Sequence, residues 1–298
     1  MMMEQVTPSA KNPGYRIVVL TALALLAFAG NSVLCRLALK GDLIGAGFFT
    51  AVRITTGAVA LWLFVSLRGS GSAATRSGGS LQASAFLAVY MVAFSFAYLE
   101  LSTGTGALLL FGAVQVTMIG WAITQGDRPN AGQWMGLIVA LGGLAWLLAP
   151  GAEAPSLGAG ASMALAGAAW GGYTLCGKGS LDSLRSTAGN FAMAIPAGLI
   201  VAGLGWQSEN WTTHGLILAV VSGVVTSAAG YAIWYEALRS LTSAQAASLQ
   251  LLVPVLAALG GLIFGAEPLG LRLVFASVLV LGGVGMVLRG KKPVDKAA

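Results

Sequence analysis

The sequence predicts an all-α integral membrane protein of ten transmembrane helices, arranged as two inverted five-helix repeats with both termini in the cytoplasm. Three observations predict this fold: few charged residues, regularly spaced charge-free stretches, and an internal repeat. Only 9 % of the 298 residues are charged and 57 % are hydrophobic, whereas roughly 25 % of residues in a water-soluble domain are charged. Because so few charges cannot cover the surface of a soluble protein, lipid must be the main solvent of this chain.

The charge-free stretches set the number of helices. A helix rises about 1.5 Å per residue and a hydrocarbon core is about 30 Å thick, so about 20 apolar residues cross it. The stretches without Asp, Glu, Lys or Arg, each of at least 19 residues, are 17–35, 77–99, 101–126, 129–152, 154–177, 186–208, 210–235 and 240–266. Segments 43–67 and 269–288, which contain Arg53 and Arg272, complete the ten. Membrane β-strands are disfavoured because these stretches do not alternate apolar and polar residues.

Lysine and arginine fix the orientation of the helices. With the N-terminus inside, twelve of these residues fall on the cytoplasmic side, and only Arg36, Lys40 and Arg272 fall on the outer side. Cytoplasmic loops carry such an excess of positive residues, so we expect a bacterial inner-membrane protein with both termini inside. The net charge of +6 therefore reflects topology, and we expect no nucleic-acid binding.

The chain repeats itself at a spacing of about 140 residues. Residues 137–148 align with 277–288, and residues 103–107 align with 242–246. Each half then holds five helices, an odd number, so the two halves must lie in opposite orientations, which is typical of transporters. The predicted organisation is a tail at 1–16, a first repeat at 17–150, a second repeat at 156–288 and a basic tail at 289–298.

Two segments of the second half carry a family resemblance. Residues 235–255, which begin Tyr235-Glu-Ala-Leu-Arg239, and Gly265-Ala-Glu-Pro-Leu269 closely resemble the C-terminal half of EamA-type transporters, in the drug/metabolite transporter (DMT) superfamily. The first half resembles this family more loosely, through Asn31, Arg53 and residues 98–148, and it departs from the pattern where Gln115 replaces the Pro254 of the second half. Within the superfamily the chain is similar to the YddG group of aromatic amino acid exporters.

The resemblance implies a fold and a function. It implies a central cavity between the halves, formed by helices one, three, four, six, eight and nine. It also implies export of amino acids, aromatic and other neutral ones, or of related metabolites by alternating access. The alternatives are efflux of drugs or cationic aromatic compounds, which aromatic walls attract by cation–π interaction, proton-coupled antiport, and a channel.

Catalytic and energy-coupling residues are missing from the sequence. It contains one histidine, His214, and neither a Gly-x-Ser-x-Gly elbow nor a phosphate-binding Walker loop, so we expect no enzyme, metal site, cofactor or ATP-driven pump. All ten carboxylates fall at predicted helix ends, in loops or in tails, with Glu100 and Glu236 nearest the bilayer. Without a carboxylate relay at membrane depth, we expect facilitated transport rather than proton coupling.

Aromatic and polar residues deep in the predicted helices are the candidate substrate-binding residues. Phe86, Tyr90, Phe94 and Tyr98 recur every fourth residue and so lie along one face of the third helix. The candidates are Asn31, Tyr90, Phe94, Tyr98, Gln115, Trp170, Tyr173, Tyr231, Trp234 and Gln250. The alternative for Tyr98 is an interfacial aromatic belt, and the alternative for the polar residues is an interhelical hydrogen bond.

Arg53, Gly112 and Pro254 are set apart by their position. An arginine near the bilayer centre is costly and must face protein or water, so Arg53 either anchors helix ends and backbone carbonyls or holds a substrate carboxylate. Gly112 and Pro254 could act as hinges, or could mark a fixed kink. The expected partners are a small-molecule substrate and the lipid bilayer, and we expect the chain to act as a monomer.

Overall fold

The computed structural model describes residues 13–68, 78–126, 129–149, 155–177, 180, 182–205, 210–238, 240–241 and 249–289. These residues form ten helices: α1 (Pro13–Lys40), α2 (Ala46–Leu67), α3 (Leu81–Ala97), α4 (Thr103–Thr124), α5 (Ala131–Leu148), α6 (Leu157–Gly177), α7 (Ser183–Gly205), α8 (Thr213–Leu238), α9 (Leu252–Gly265) and α10 (Leu271–Arg289). The all-helical prediction is confirmed for this part of the chain.

Within the described ranges, six helices are long and apolar enough to cross a membrane by length and composition: α1, α2, α4, α5, α7 and α8. Three further apolar helices fall below that length: α3, α9 and α10, the last of which is counted over Leu271–Val287. The 17 residues of α3 still measure about 25 Å along the axis. A multi-pass membrane protein is confirmed, and a count of ten spans stays a prediction.

Side-chain caps mark where several helices begin. The hydroxyl of Ser80 accepts a hydrogen bond from the Ala83 amide at the start of α3, and Thr212 caps α8 in the same way. At α5, Asn130 and Gln133 form a reciprocal capping box. Such caps satisfy amide groups that have no partner inside the helix, so the polar residues between apolar runs set the helix boundaries.

The predicted helix 240–266 is interrupted within the residues that the structure describes, which do not include 242–248. Residues 249–250 are helical, Leu251 interrupts the helix, and α9 runs from Leu252 to Gly265. Pro254 explains the interruption, because a proline ring clashes with the carbonyl four residues earlier, here that of Gln250. Pro254 itself lies in the first turn of α9, where a missing amide hydrogen costs little.

The helices pack in a pattern that is unchanged when the two halves are exchanged. Helix α2 packs on α7, α5 on α10, and α4 on α9. In addition, α6 packs on α3 and α4, while α1 packs on α8 and α9. If α1–α5 correspond to α6–α10 in order, each of these pairs maps onto itself or onto another observed pair.

Helix α8 contains a wider helical segment at its middle. Residues Ser222–Ala229 form a π-helix between two α-helical stretches. Such segments are rare and are found frequently at functional sites. The segment turns Ser222, Thr226 and Ser227 towards α1 and α2, where all three form hydrogen bonds.

Candidate functional site

A narrow cavity lies at the centre of the bundle, between helices of both halves. Its lining is mostly aromatic and consists of Phe28, Asn31, Ser32, Tyr90, Phe94, Leu110, Phe111, Trp170 and Tyr231. The free space among these side chains is about that of one water molecule. A larger ligand therefore requires the lining side chains to move apart.

Trp170 is the centre of the aromatic lining. Its ring centroid lies 4.9 Å from those of both Tyr90 and Tyr231, and 6.1 Å from that of Phe28. Aromatic pairs at such distances gain energy beyond the area they bury. Since α1, α3, α6 and α8 each contribute a ring, this cluster holds the two halves of the chain together.

Asn31 organises the polar side of the cavity. Its side-chain oxygen accepts hydrogen bonds from Ser222 (2.7 Å) and Thr226 (3.2 Å) of α8. Its amide nitrogen donates to the hydroxyl of Tyr90 at 3.4 Å. Buried polar groups are stabilising only when they are hydrogen-bonded, and here the bonds join α1, α3 and α8.

Arg53 lies behind the wall formed by Tyr90 and Phe94, and it is fully buried. Its Nε donates to Ser227 Oγ at 2.9 Å, and its Nη2 donates to Tyr90 Oη at 3.1 Å. The guanidinium carbon is 5.4 Å and 5.1 Å from the ring centroids of Tyr90 and Phe94, which is within cation–π range. Its Nη1 has no hydrogen-bond partner among the described residues.

The first interpretation of Arg53 differs from these contacts. We expected backbone carbonyls or a helix end as its anchors, but its described partners are two side-chain hydroxyls and two aromatic rings. Arg53 also forms no ion pair within the described ranges. The second interpretation, a contact with a substrate carboxylate, stays a prediction.

A second polar cluster closes the outer end of the bundle, the side that the basic-residue bias assigns to the cell exterior. Arg36 Nε donates to Glu267 Oε1 at 2.9 Å, and the two side chains are only 12 % and 9 % exposed. The other carboxylate oxygen accepts from the Thr103 amide at 2.7 Å. Arg36 also donates to the backbone carbonyls of Tyr98 and Leu99. The outer ends of α1, α3, α4 and α9 are thus fastened at one point.

Backbone contacts fasten the outer end at a second place. The Gly45 amide donates to the carbonyl of Asn210 (2.9 Å), and the Thr212 amide donates to that of Leu43 (2.7 Å). These bonds join the α1–α2 loop to the segment before α8. Arg272 completes the closure by donating to the carbonyls of Trp146, Leu147 and Ala149 at the end of α5.

The inner end has a more open, polar cavity. It lies among the inner ends of α3, α6, α7 and α8, and Tyr173, Thr187, Asn190 and Tyr235 are among its lining residues. The ring of Tyr173 packs on Trp170 at 5.5 Å, so this side chain separates the inner cavity from the central one. In the part of the chain that the structure describes, the bundle is therefore closed at the outer end, and a cavity reaches Tyr173 from the inner end.

The structure divides the ten predicted site residues into three groups. Asn31, Tyr90, Phe94, Trp170 and Tyr231 line the central cavity together. Trp234 and Tyr173 are buried beside it, against Phe28 and Trp170 respectively.

The remaining three predicted residues lie elsewhere. Tyr98 belongs to the outer closure, where its hydroxyl donates to the Thr103 carbonyl at 3.2 Å. Gln115 and Gln250 are buried but are not among the side chains that line the cavity. A Cβ atom at Gly112 would meet Leu144 Cδ2 of α5 at 2.9 Å, a contact that a movement of the leucine side chain can relieve, and the predicted role of Gly112 as a hinge is untested.

Several residues of the site were not predicted from the sequence. Phe28, Ser32, Leu110 and Phe111 line the cavity but look like ordinary residues of apolar helices. The Arg36–Glu267 pair was missed as well. The available signals were the charged residue near the end of the first helix and the Gly265-Ala-Glu-Pro-Leu269 motif, which the resemblance had already brought out.

Comparison with known proteins identifies the family. Residues 158–289 match the EamA-like transporter family. The chain is 49 % identical over 278 residues to the uncharacterized protein PA1977 of Pseudomonas aeruginosa, covering 93 % of this chain and 96 % of that protein. It is 27 % identical over 208 residues to the uncharacterized transporter YwfM of Bacillus subtilis, covering 65 % and 70 % of the two chains.

A solved structure shows the same fold. A protein of known crystal structure superimposes with a TM-score of 0.62 and 16 % identity, over 91 % of this chain and 99 % of its own. This likeness shows that the fold extends over both halves of the chain. The second half of the chain, residues 158–289, is an EamA-like transporter domain.

Proposed function

We propose that the chain exports amino acids, aromatic and other neutral ones, or related metabolites across the bacterial inner membrane. The observation that carries this proposal is the central cavity, which is lined by aromatic rings and lies between the two halves. Ligand sites are mostly apolar clefts with a few placed polar groups. Phe28, Trp170 and Tyr231 supply an apolar wall for a side chain, and Asn31 and Tyr90 supply polar groups for a zwitterionic end.

Alternating access between inverted halves is the proposed mechanism. The exchange-symmetric packing of the helices supports it, because two similar halves that exchange conformations convert an inward-open state into an outward-open one. The observed arrangement corresponds to one end of that cycle, with the outer end fastened through Arg36 and Glu267 and the inner cavity reaching Tyr173.

Facilitated transport, without proton coupling, is the proposed energetics. The carboxylates among the described residues are Asp42, Glu100, Asp182, Glu236 and Glu267, and all lie at helix ends or in loops. Glu236 pairs with Arg16 at the inner end. Proton-driven transporters use ionisable groups within the membrane, and the described residues place no carboxylate there.

Uptake into proteoliposomes tests the function. We expect the purified protein to carry labelled phenylalanine and leucine down their gradients, and unlabelled amino acid inside the vesicles should accelerate the uptake by exchange. Collapse of a pH gradient should leave the rate unchanged. Accumulation driven by a pH gradient alone would contradict uniport, and absence of uptake for every amino acid tried would contradict the function. Protein-free liposomes are the control.

Trp170→Ala should impair transport of phenylalanine more than transport of alanine. An aromatic contact is worth about 0.5–1.5 kcal/mol beyond area burial, so apparent affinity for phenylalanine should fall about two- to tenfold. The measurement is the KM for each substrate in proteoliposomes. Trp121→Ala is the matched control, because Trp121 is 52 % exposed on α4 and should leave both KM values unchanged. Equal losses for both substrates in well-folded protein would mean that Trp170 only packs helices.

A further inference from the structure

Hydrogen-bond donors exceed acceptors around the central cavity. The Tyr90 hydroxyl accepts from both Arg53 Nη2 and Asn31 Nδ2, so its own proton is free to point to a third group. Asn31 offers little in return, because its oxygen already accepts from Ser222 and Thr226. The third group in contact with the Tyr90 hydroxyl is the Tyr231 hydroxyl, and because the two hydroxyls can share only one of their two protons, one proton of this pair is left without an acceptor.

A further donor beside this pair has no acceptor. Among the described residues, Arg53 Nη1 makes no hydrogen bond, and the Tyr231 hydroxyl has no partner other than that of Tyr90, although both groups are buried. The rings of Tyr90 and Tyr231 pack on the same neighbour, each with its ring centroid 4.9 Å from that of Trp170. The two tyrosines thus line one small space, and Arg53 lies behind the wall of that space.

The charge in this region is also uncompensated. Among the described residues, the side chains in hydrogen-bond or cation–π contact with Arg53 are Ser227, Tyr90 and Phe94, and none of them carries a negative charge. Among the described carboxylates, Glu267 and Glu236 are paired with other arginines at the two ends of the bundle. A buried cation without a counter-ion is costly, and so is a buried donor without an acceptor.

We propose that Tyr90, Tyr231 and Arg53 form a carboxylate-binding subsite and that the cargo must carry a carboxylate. The two tyrosine hydroxyls donate to the carboxylate oxygens, and Arg53 supplies the positive charge from behind the Tyr90 ring. A carboxylate brings the missing acceptors and the missing charge together, and charge-assisted hydrogen bonds are the strongest available. This inference rests on the proposed function and names its substrate class: aromatic cations without a carboxylate are excluded.

Three ring-matched compounds test the subsite in the full-length protein. Phenylalanine carries both charged groups, 3-phenylpropionate carries only the carboxylate, and phenethylamine carries only the ammonium. Thermal-shift titration in detergent measures their binding, and competition with labelled phenylalanine in proteoliposomes measures their effect on transport. We expect 3-phenylpropionate to bind and compete, and phenethylamine to do neither at the same concentration.

Variants assign the effect to the named residues. Arg53→Gln should weaken binding of 3-phenylpropionate about ten- to hundredfold, whereas Arg53→Lys, which keeps the charge, should weaken it much less. Tyr231→Phe should cause a smaller loss of about threefold or more. Ser95→Ala is the control, because it removes a buried hydroxyl of α3 that bonds the Met91 carbonyl of its own helix.

Each outcome either supports or overturns the subsite. If phenethylamine binds as tightly as 3-phenylpropionate, or if Arg53→Gln folds and binds 3-phenylpropionate like the unmodified protein, Arg53 is only a structural anchor and the proposal is wrong. Binding of 3-phenylpropionate without transport of any amino acid would support the subsite and contradict the proposed function. Transport of phenylalanine that phenethylamine and 3-phenylpropionate inhibit equally would support the proposed function and contradict the subsite.

Discussion

Glu267→Gln is expected to abolish most transport and to open the outer end of the bundle. The carboxylate uses both oxygens, one for Arg36 and one for the Thr103 amide. Glutamine has a single oxygen and turns an NH2 group towards one of these donors, so at least one buried donor loses its acceptor. Breaking a buried ion pair from one side costs about 3–5 kcal/mol, which is enough to shift a two-state equilibrium by about two to four orders of magnitude.

Accessibility from outside measures the opening. A cysteine introduced at Leu101, which is 1 % exposed behind the closure, should react at least about tenfold faster with an impermeant thiol reagent in the Glu267→Gln background, as expected for a large population shift. The native Cys35 and Cys176 are first replaced by alanine. Glu100→Gln is the control, because Glu100 is an exposed carboxylate at the same end of the molecule. Labelling and transport that match the unmodified protein would show that the pair does not close the outer end.

A double substitution separates the charge effect from general damage. Arg36→Met and Glu267→Met together remove both buried charges, so the pair should be less destabilising than either substitution alone. Thermal denaturation in detergent gives the three stabilities. Additive losses would mean that the two side chains are not energetically coupled.

The sequence located the cavity residues that share a helical face. Tyr90 and Phe94 were found because a four-residue period lines them up on α3, and both line the cavity. The sequence gives the depth of a residue in the membrane from its position along an apolar stretch. It does not give the direction in which a helix face points. Gln115 and Gln250 have suitable depth and yet do not line the cavity, whereas Phe28 lines it and has no distinguishing pattern.

Contacts between residues that are far apart in the chain could not be predicted from the sequence. Arg36 and Glu267 are 231 residues apart, and each alone looks like a charge at a helix end. The interruption before α9 is a different case, because it follows from a local rule. Pro254 excludes a regular hydrogen bond to Gln250, so the predicted helix 240–266 could have been divided from the sequence alone.

Adjacent glycines of α10 are expected to respond oppositely to substitution. A Cβ atom at Gly283 would lie 2.5 Å from the carbonyl oxygen of Gly136 and from the amide of Ala140, both on α5. A Cβ atom at Gly282 would meet nothing within 4 Å. Small residues let helix backbones touch inside a bilayer, so Gly283 is required by the packing of α10 on α5, whereas Gly282 is not.

Gly283→Val should therefore destabilise the protein severely, while Gly282→Val should behave like the unmodified chain. Overpacking costs about 1–3 kcal/mol even where side chains can move, and the atoms opposite Gly283 are backbone. The measurement is the yield of monodisperse protein and its thermal midpoint. The repeat supplies a second pair: Gly143 aligns with Gly283, and its Cβ would lie 2.8 Å from Leu279 Cβ, whereas Gly142 has open space. If Gly143→Val is harmful and Gly142→Val is tolerated, the two halves use equivalent glycines in one symmetric interface. Tolerance of valine at both 143 and 283 would mean that α5 and α10 do not pack backbone to backbone.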